Sequence, residues 1–399
     1  MFISDKAKKV KESSTLYINS KFKEMKAQGL DAVGFGTGEP DFDTPEHIKK
    51  SAIDAIENGV TKYTAASGTP ELKKAVCGKL LRENGLEYAP ENIVISNGAK
   101  HSLLNIFTAI CNPGDEVIIP APFWVSYPEL VALADGVPVI VSCSEKDGFK
   151  VTVDQLEKAC TNRTRALVLN SPSNPTGMIY SEDELKAIAD FAVKHGIYVI
   201  SDEVYEHLIY DNNKHVSIAS FGEDIKNLTI VVNAVSKTYA MTGWRIGYTA
   251  CGKELAKAMS NIQSHGTSNP NSIAQAAAAT ALNGSLDEVV KIREEFKKRR
   301  DYMTSRMNAI DGVSCSIPQG AFYVMMNISQ LIGTKLYGTE INGSDDFANL
   351  FLEKMLVAVV PCSGFGADEF IRWSYASSME TIKKGLDRLE EFIKEGRKI

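Results

Sequence analysis

The sequence has no apolar run approaching the roughly 20 residues that a membrane-spanning helix needs. Its opening, Met1-Phe2-Ile3-Ser4-Asp5-Lys6, turns charged at once and leaves no apolar signal segment. It also lacks any run of five basic residues. With 44 Lys and Arg against 50 Asp and Glu, the net charge of −6 is too mild to suggest a nucleic-acid or anionic-membrane partner. Cysteine is sparse: the seven are scattered and odd in number, with no Cys-x-x-Cys pair. That argues against a disulfide frame or a zinc site, and for reduced thiols in a cytoplasm. No internal repeat, low-complexity tract or linker is evident.

What is present reads as an α/β protein. The 399 residues predict two or three compact units. Short β-rich runs at Asn92–Ser96, Glu116–Pro120, Val137–Val141, Ala166–Asn170, Ile197–Ser201, Leu228–Val235 and Gly247–Ala250 alternate with longer helical stretches. Several are almost wholly apolar, as strands covered on both faces are. Ser181 with Glu184 three residues on, and Gly196 after His195, bracket a helix by a capping box and a stop signal. Beyond about residue 285 the pattern changes to a long charged helix from Asp287 to about Ile310, a β-like Ala321–Asn327, a helical Asp345–Lys354, a strand Val357–Val360 and a last helix from Met379. This predicts a second, smaller α+β unit.

Polar residues follow five of the predicted strands: Gly98-Ala99-Lys100, Trp124, Asn174, Asp202 with Tyr205, and Ser236-Lys237. In open α/β sheets, ligands bind beyond the carboxyl ends of the strands, so the five clusters could converge on one pocket. A lysine closing an apolar strand is partly desolvated, which lowers its pKa and frees the amine as a nucleophile; it could equally snorkel from a strand end. Asp202 could meet a buried cation or cap a helix. Asn170-Ser171-Pro172-Ser173-Asn174-Pro175-Thr176-Gly177 is either a constrained functional turn or a plain connection. Gly98-Ala99-Lys100, before a helix expected near His101, could offer bare amides to an anion. Arg372, in the β-like Phe370–Tyr375, could clamp a carboxylate or join a structural ion pair.

Other patterns fail. Glu39 breaks the dinucleotide fingerprint that Gly34, Gly36 and Gly38 begin. Thr339 stands where a P-loop after Gly333 and Gly338 needs lysine, and there is no Gly-x-Ser-x-Gly elbow. Asp202, Glu203, Glu206 and His207 match no metal-ligand spacing, so no metal is expected.

Taken together, Gly38-Glu39-Pro40-Asp41-Phe42, Tyr63-Thr64, Asn174-Pro175-Thr176-Gly177, Asp202-Glu203-x-Tyr205, Ser236-Lys237 with Arg245, and Arg372 carry a resemblance. From about Ser13 onward the chain resembles class I, fold-type I pyridoxal-phosphate-dependent aminotransferases of the bacterial aspartate aminotransferase subgroup. The resemblance implies a large, mostly parallel-sheet α/β/α domain at 46–288. It also implies a smaller α+β domain at 289–399, joined by the N-terminal segment 1–45. It implies pyridoxal 5′-phosphate as cofactor, amino acids and 2-oxo acids as small-molecule substrates, and a homodimer with shared active sites.

Carried over, Lys237 would bind the cofactor as a Schiff base and shuttle a proton. Asp202 would pair with the pyridinium nitrogen, and Tyr205 and Asn174 would hydrogen-bond the ring O3′. Trp124 would stack on the ring at the edge of the substrate site, and Gly98, Ala99, Ser236 and Arg245 would hold the phosphate beside Lys100. Tyr63 would reach the neighbouring subunit's phosphate. Arg372 would clamp the substrate α-carboxylate near Gly38 and Asn174. Thr15 and Lys100 match a pair associated with acidic substrates, and the same pair occurs in prephenate-accepting members. Aspartate with 2-oxoglutarate is thus the expected couple, with a prephenate, aromatic or broader-specificity enzyme, or a β-lyase, as alternatives. The short stretch before Gly38 leads us to expect no appended DNA-binding domain. Phe123, Ala99 and Ala234 depart from the usual Tyr, Gly and hydroxyl residue.

Overall fold

The structure, a computed structural model, describes residues 2–9 and 14–398. Its centre is a seven-stranded sheet made by the seven β-rich runs: β1 (Ile93–Ser96), β2 (Glu116–Ala121), β3 (Val137–Ser142), β4 (Thr164–Asn170), β5 (Tyr198–Asp202), β6 (Thr229–Ala234) and β7 (Gly247–Ala250). Their order across the sheet is β1-β7-β6-β5-β4-β2-β3. Only β7 runs against its neighbours, pairing antiparallel with both β1 and β6; the pairs among β2 to β6 are all parallel.

Both faces are covered, as the apolar runs require. Within β2, Val117 and Ile119 pack with Leu103, Ile106 and Phe107 of the helix Ala99–Ile110. Ile118 between them turns the other way, toward Leu185, Ile188 and Phe191 of the helix Glu182–His195. This alternation is the period-two pleat of a strand buried on both sides. The Glu182–His195 helix starts at a complete capping box: Ser181 accepts from the Glu184 amide, and Glu184 accepts from the Ser181 amide at 2.7 Å. It stops at Gly196 in the left-handed region (φ 62°).

A second core gathers the C-terminal third around a four-stranded antiparallel sheet of Val360–Pro361, Phe370–Ser374, Tyr323–Asn327 and Ser314–Cys315. The helices Asp287–Met307, Ser344–Met355 and Met379–Gly396 belong to this region. The expected strand from Ala321 begins instead at Tyr323, because Ala321 sits at φ 56°, outside extended geometry. The expected strand Val357–Val360 is divided between two partners: Val357–Ala358 runs parallel to Val33–Gly34, and Val360–Pro361 pairs with Phe370–Ser374. Among the described residues, no helix is long and apolar enough to cross a membrane.

Candidate active site

At the carboxyl ends of β4, β5 and β6 lies a cleft of about 420 Å³, closed on its far side by residues of the second core. Of the residues singled out in the sequence, Gly38, Ala99, Lys100, Trp124, Asn174, Asp202, Tyr205, Ser236, Lys237, Arg245 and Arg372 all line it. Three do not. Gly98 lies beneath the wall as the N-cap of the helix Ala99–Ile110, with φ 85°. That helix starts at Ala99 rather than near His101, because the Gly98 carbonyl already accepts from the His101 and Ser102 amides. Tyr63 is 89 % exposed, far from the interior. Thr15 lies on the helix Ser14–Ala27, but its side chain is outside what the structure describes.

Lys237 sits on a four-residue helix, Val235–Thr238, immediately after β6. Its Nζ donates to the Gly38 carbonyl and lies 5.9 Å from the centre of the Tyr205 ring. Although the side chain reaches the cleft, its surroundings are dense. Burial lowers its pKa to about 8, and the Arg245 and Arg372 charges act in the same direction. The amine is thus ready to act as a base or nucleophile near neutrality.

Asp202, the last residue of β5, is 3 % exposed. No helix follows it, so the capping alternative falls; instead its Oδ2 accepts from the Tyr127 hydroxyl at 2.7 Å and its Oδ1 from the Val204 amide at 3.4 Å. Burial still pushes its pKa up to about 6, the signature of a carboxylate that lacks a cationic partner. The constrained turn after β4 is tied back to it: Asn170 donates from Nδ2 to the Asp202 carbonyl at 2.9 Å and accepts from the Asn174 amide at 2.8 Å.

Arg372, on Phe370–Ser374, is 2 % exposed. It is not in an ion pair among the described residues: Nη1 donates to Asn174 Oδ1 and Nη2 to the Gly36 carbonyl, each at 3.0 Å. Its buried Nε has no partner. The guanidinium carbon stands 4.5 Å from the Tyr323 ring and 5.1 Å from the Phe365 ring. Toward the opposite wall, Lys100 Nζ lies 5.0 Å from the Trp124 ring, its pKa lowered first by partial burial and then by Arg245.

Sequence reasoning passed over Tyr127 and Tyr323. Tyr127 lies three residues beyond Trp124, against which its ring packs edge-on at 5.4 Å; that spacing was its only signal. Tyr323 lies in an apolar β run that reads as core. Glu203 and Glu206 point away from the cleft into a buried polar network. Glu203 accepts from Ser201 and Ser217, while Lys79, Asn84 and Asn233 hold the oxygens of Glu206. With His215, the two carboxylates bring their ligand atoms within 4.8 Å of one another, as do Glu83, Glu206 and His207.

A mostly parallel α/β sheet that brings a neutralisable lysine, a buried acid and an arginine without a carboxylate partner among the described residues to one cleft defines an enzyme that works on small anionic molecules through an amine. A family model described as aminotransferase class I and II matches residues 31–389. An aspartate aminotransferase of Bacillus sp. (strain YM-2) is 46% identical over 392 residues, 98% of this chain and 99% of that one. An aspartate/prephenate aminotransferase of Nitrosomonas europaea is 46% identical over 396 residues, 98% of this chain and 100% of that one. Among solved structures, the aspartate aminotransferase of Thermus thermophilus with maleate superposes with a TM-score of 0.93 at 42% identity, covering 98% of this chain and 100% of that one. The chain belongs to the class I and II aminotransferases, and its cofactor is pyridoxal 5′-phosphate.

The residues present fit that cofactor. A buried acid with a raised pKa suits a protonated ring nitrogen. The opening amides of the helix Ala99–Ile110 suit a phosphate, having no carbonyl of a preceding turn to bond. A Cβ at Gly247 would run into the Ala99 backbone, and Gly98 stands at φ 85°, which L side chains rarely adopt, so glycine at these two positions keeps the cradle open.

Proposed function

We propose that this aminotransferase is an aspartate aminotransferase, moving the amino group of L-aspartate to 2-oxoglutarate to give oxaloacetate and L-glutamate in a ping-pong cycle. The observation that carries the reading is the pair of cations facing one cleft, Arg372 and Lys100. An α-carboxylate at Arg372 and a distal carboxylate at Lys100 together describe a dicarboxylic substrate. The maleate bound to the Thermus relative is also a dicarboxylate.

Pyridoxal phosphate supplies an electron sink for the carbon from which a proton is removed. The protein does the rest. Lys237 Nζ takes the substrate Cα proton and returns it. Asp202, steadied by Tyr127, would keep the ring nitrogen protonated. Tyr205 and Asn174 would hydrogen-bond the ring oxygen O3′, and Trp124 would stack on the ring. The Ala99 and Lys100 amides, which follow Gly98 at the helix start, would hold the phosphate with Ser236 and Arg245. Arg372 orients the α-carboxylate beside Gly38 and Asn174. Thr15 and Lys100 serve the distal carboxylate, and Tyr63 completes the site of a second copy in a homodimer.

Residues 46–288 form the cofactor-binding domain, and 1–45 with 289–399 the small one; the pairing of Val33–Gly34 with Val357–Ala358 supports that division. The seven free cysteines are in keeping with a cytoplasmic protein. Prephenate is the second candidate substrate: it too carries two carboxylates, and the Nitrosomonas relative is named for both activities.

The test is the visible spectrum of the purified protein before and after L-aspartate. Conversion of the bound-cofactor band by aspartate is the expected result. A band that ignores aspartate would leave the cofactor and remove the donor. Release of ammonia in place of oxaloacetate would point to β-elimination.

A further inference from the structure

Tyr323 is a buried tyrosine in the wall of the cleft. It is 1 % exposed, and a phenol is costly to bury unless its hydroxyl is paired. The pairing it finds is the Tyr205 hydroxyl at 3.0 Å. Its ring lies under the Arg372 guanidinium at 4.5 Å. A Cβ on Gly38 would come within 3.1 Å of its oxygen, so it also borders the carbonyl that receives the Lys237 amine. It therefore touches both the side of the cleft assigned to the cofactor and the side assigned to the substrate. Phenylalanine would serve the arginine equally well, since the cation is attracted to the ring face. What phenylalanine would not supply is the hydrogen bond to Tyr205.

We infer that Tyr323 is a positioning residue that couples the two halves of the site. Its hydroxyl donates to the Tyr205 oxygen, and its ring fixes the plane of the Arg372 guanidinium. The inference rests on the aminotransferase reading. The direction of the bond follows from it: if Tyr205 spends its proton on the ring oxygen of the cofactor, Tyr323 must be the donor between them. A hydroxyl that accepts one hydrogen bond donates a stronger one, so Tyr323 helps to hold the bound cofactor in its low-pKa form. The arginine, with its two Nη groups bonded to Asn174 and Gly36 and its face on Tyr323, has its orientation set before substrate arrives.

The experiment compares the holoenzyme with its Tyr323→Phe, Tyr323→Leu, Tyr205→Phe and Tyr205→Phe/Tyr323→Phe variants. Two quantities are read: the pH midpoint of the visible band of bound pyridoxal phosphate, and the Kd of maleate, which is not a substrate. Tyr323→Phe is expected to raise the midpoint by a few tenths of a pH unit while changing the maleate Kd less than about twofold. In the Tyr205→Phe background the same change should shift nothing further. Tyr323→Leu, which removes the ring face, should weaken maleate roughly tenfold. An unshifted midpoint in Tyr323→Phe, or an equal shift without Tyr205, overturns the coupling through Tyr205. Maleate bound as tightly by the Leu variant as by the Phe variant overturns the role toward Arg372. A wild-type holoenzyme whose band ignores aspartate and maleate alike would overturn the functional reading and this inference with it; a normal wild-type response with unchanged variants overturns this inference alone.

Discussion

At the scale of single residues, the site is a set of groups held away from their ordinary protonation. Asp202 shows what that means for stability. Its pKa is 3.8 when unperturbed and is raised to about 6 by burial. Between those values the folded protein holds a proton that the unfolded chain has released, so cofactor-free protein loses stability as pH rises through this window and remains penalised above it. At 1.36 kcal/mol per pH unit the penalty is on the order of 3 kcal/mol. Asp202→Asn, which keeps an acceptor for Tyr127 but never carries the charge, is expected to raise the melting temperature of the cofactor-free protein at neutral pH. The gain should shrink as pH falls from 6 and vanish below 3.8. Melting curves at several pH values decide it: a pH-independent gain would mean that the Asp202 charge is not the cause. Much of this constellation was legible beforehand, because Lys237, Asp202, Asn174 and Trp124 each follow a recognisable apolar strand. Tyr323 was not, since its function is conferred by Tyr205, 118 residues away in sequence.

At the scale of elements, local signals were read most reliably where the chemistry is itself local. The helix Glu182–His195 is an example, with a reciprocal cap at one end and a left-handed glycine at the other. Glu184 serves twice, accepting from the Ser181 amide and from Lys150 Nζ at 2.8 Å. This helix covers β2, β4 and β5, the last two of which end in Asn170 and Asp202. Ser181→Ala is expected to cost about 1 kcal/mol in urea unfolding, with the visible response to aspartate unchanged, since Ser181 does not line the cleft. An unchanged unfolding midpoint would show that Lys150 and Glu184 hold the helix start without the serine. Where partners are remote, the sequence said less. The run Val357–Val360 looks like one strand, and nothing within it announces that its two halves answer to Val33–Gly34 and to Phe370–Ser374. The existence of all seven strands of the large sheet followed from their apolar runs. Their order did not, because it depends on which helix crosses which face.

At the scale of the molecule, one feature that a single chain leaves unexplained is Tyr63. Next to it Thr64 is held firmly, its Oγ1 accepting from Gln275 Nε2 at 3.1 Å, yet Tyr63 itself projects into solvent. An exposed tyrosine on an anchored segment suits a contact with another copy, and a twofold dimer would carry it twice, once into each site. This makes the homodimer with shared sites testable without a structure of the pair. A Lys237→Ala chain lacks its own amine but still offers an intact Tyr63. A Tyr63→Ala chain keeps its lysine but offers its partner nothing. Each homodimer should be defective, the first inactive and the second weak in cofactor retention. After unfolding and refolding an equal mixture, half of the dimers are hybrids, and each hybrid has one site with both wild-type groups. About a quarter of the wild-type activity should therefore return if subunits exchange at random. Recovery no greater than the sum of the two separate variants would mean that Tyr63 acts within its own chain or not at all, and the shared-site dimer would have to be abandoned.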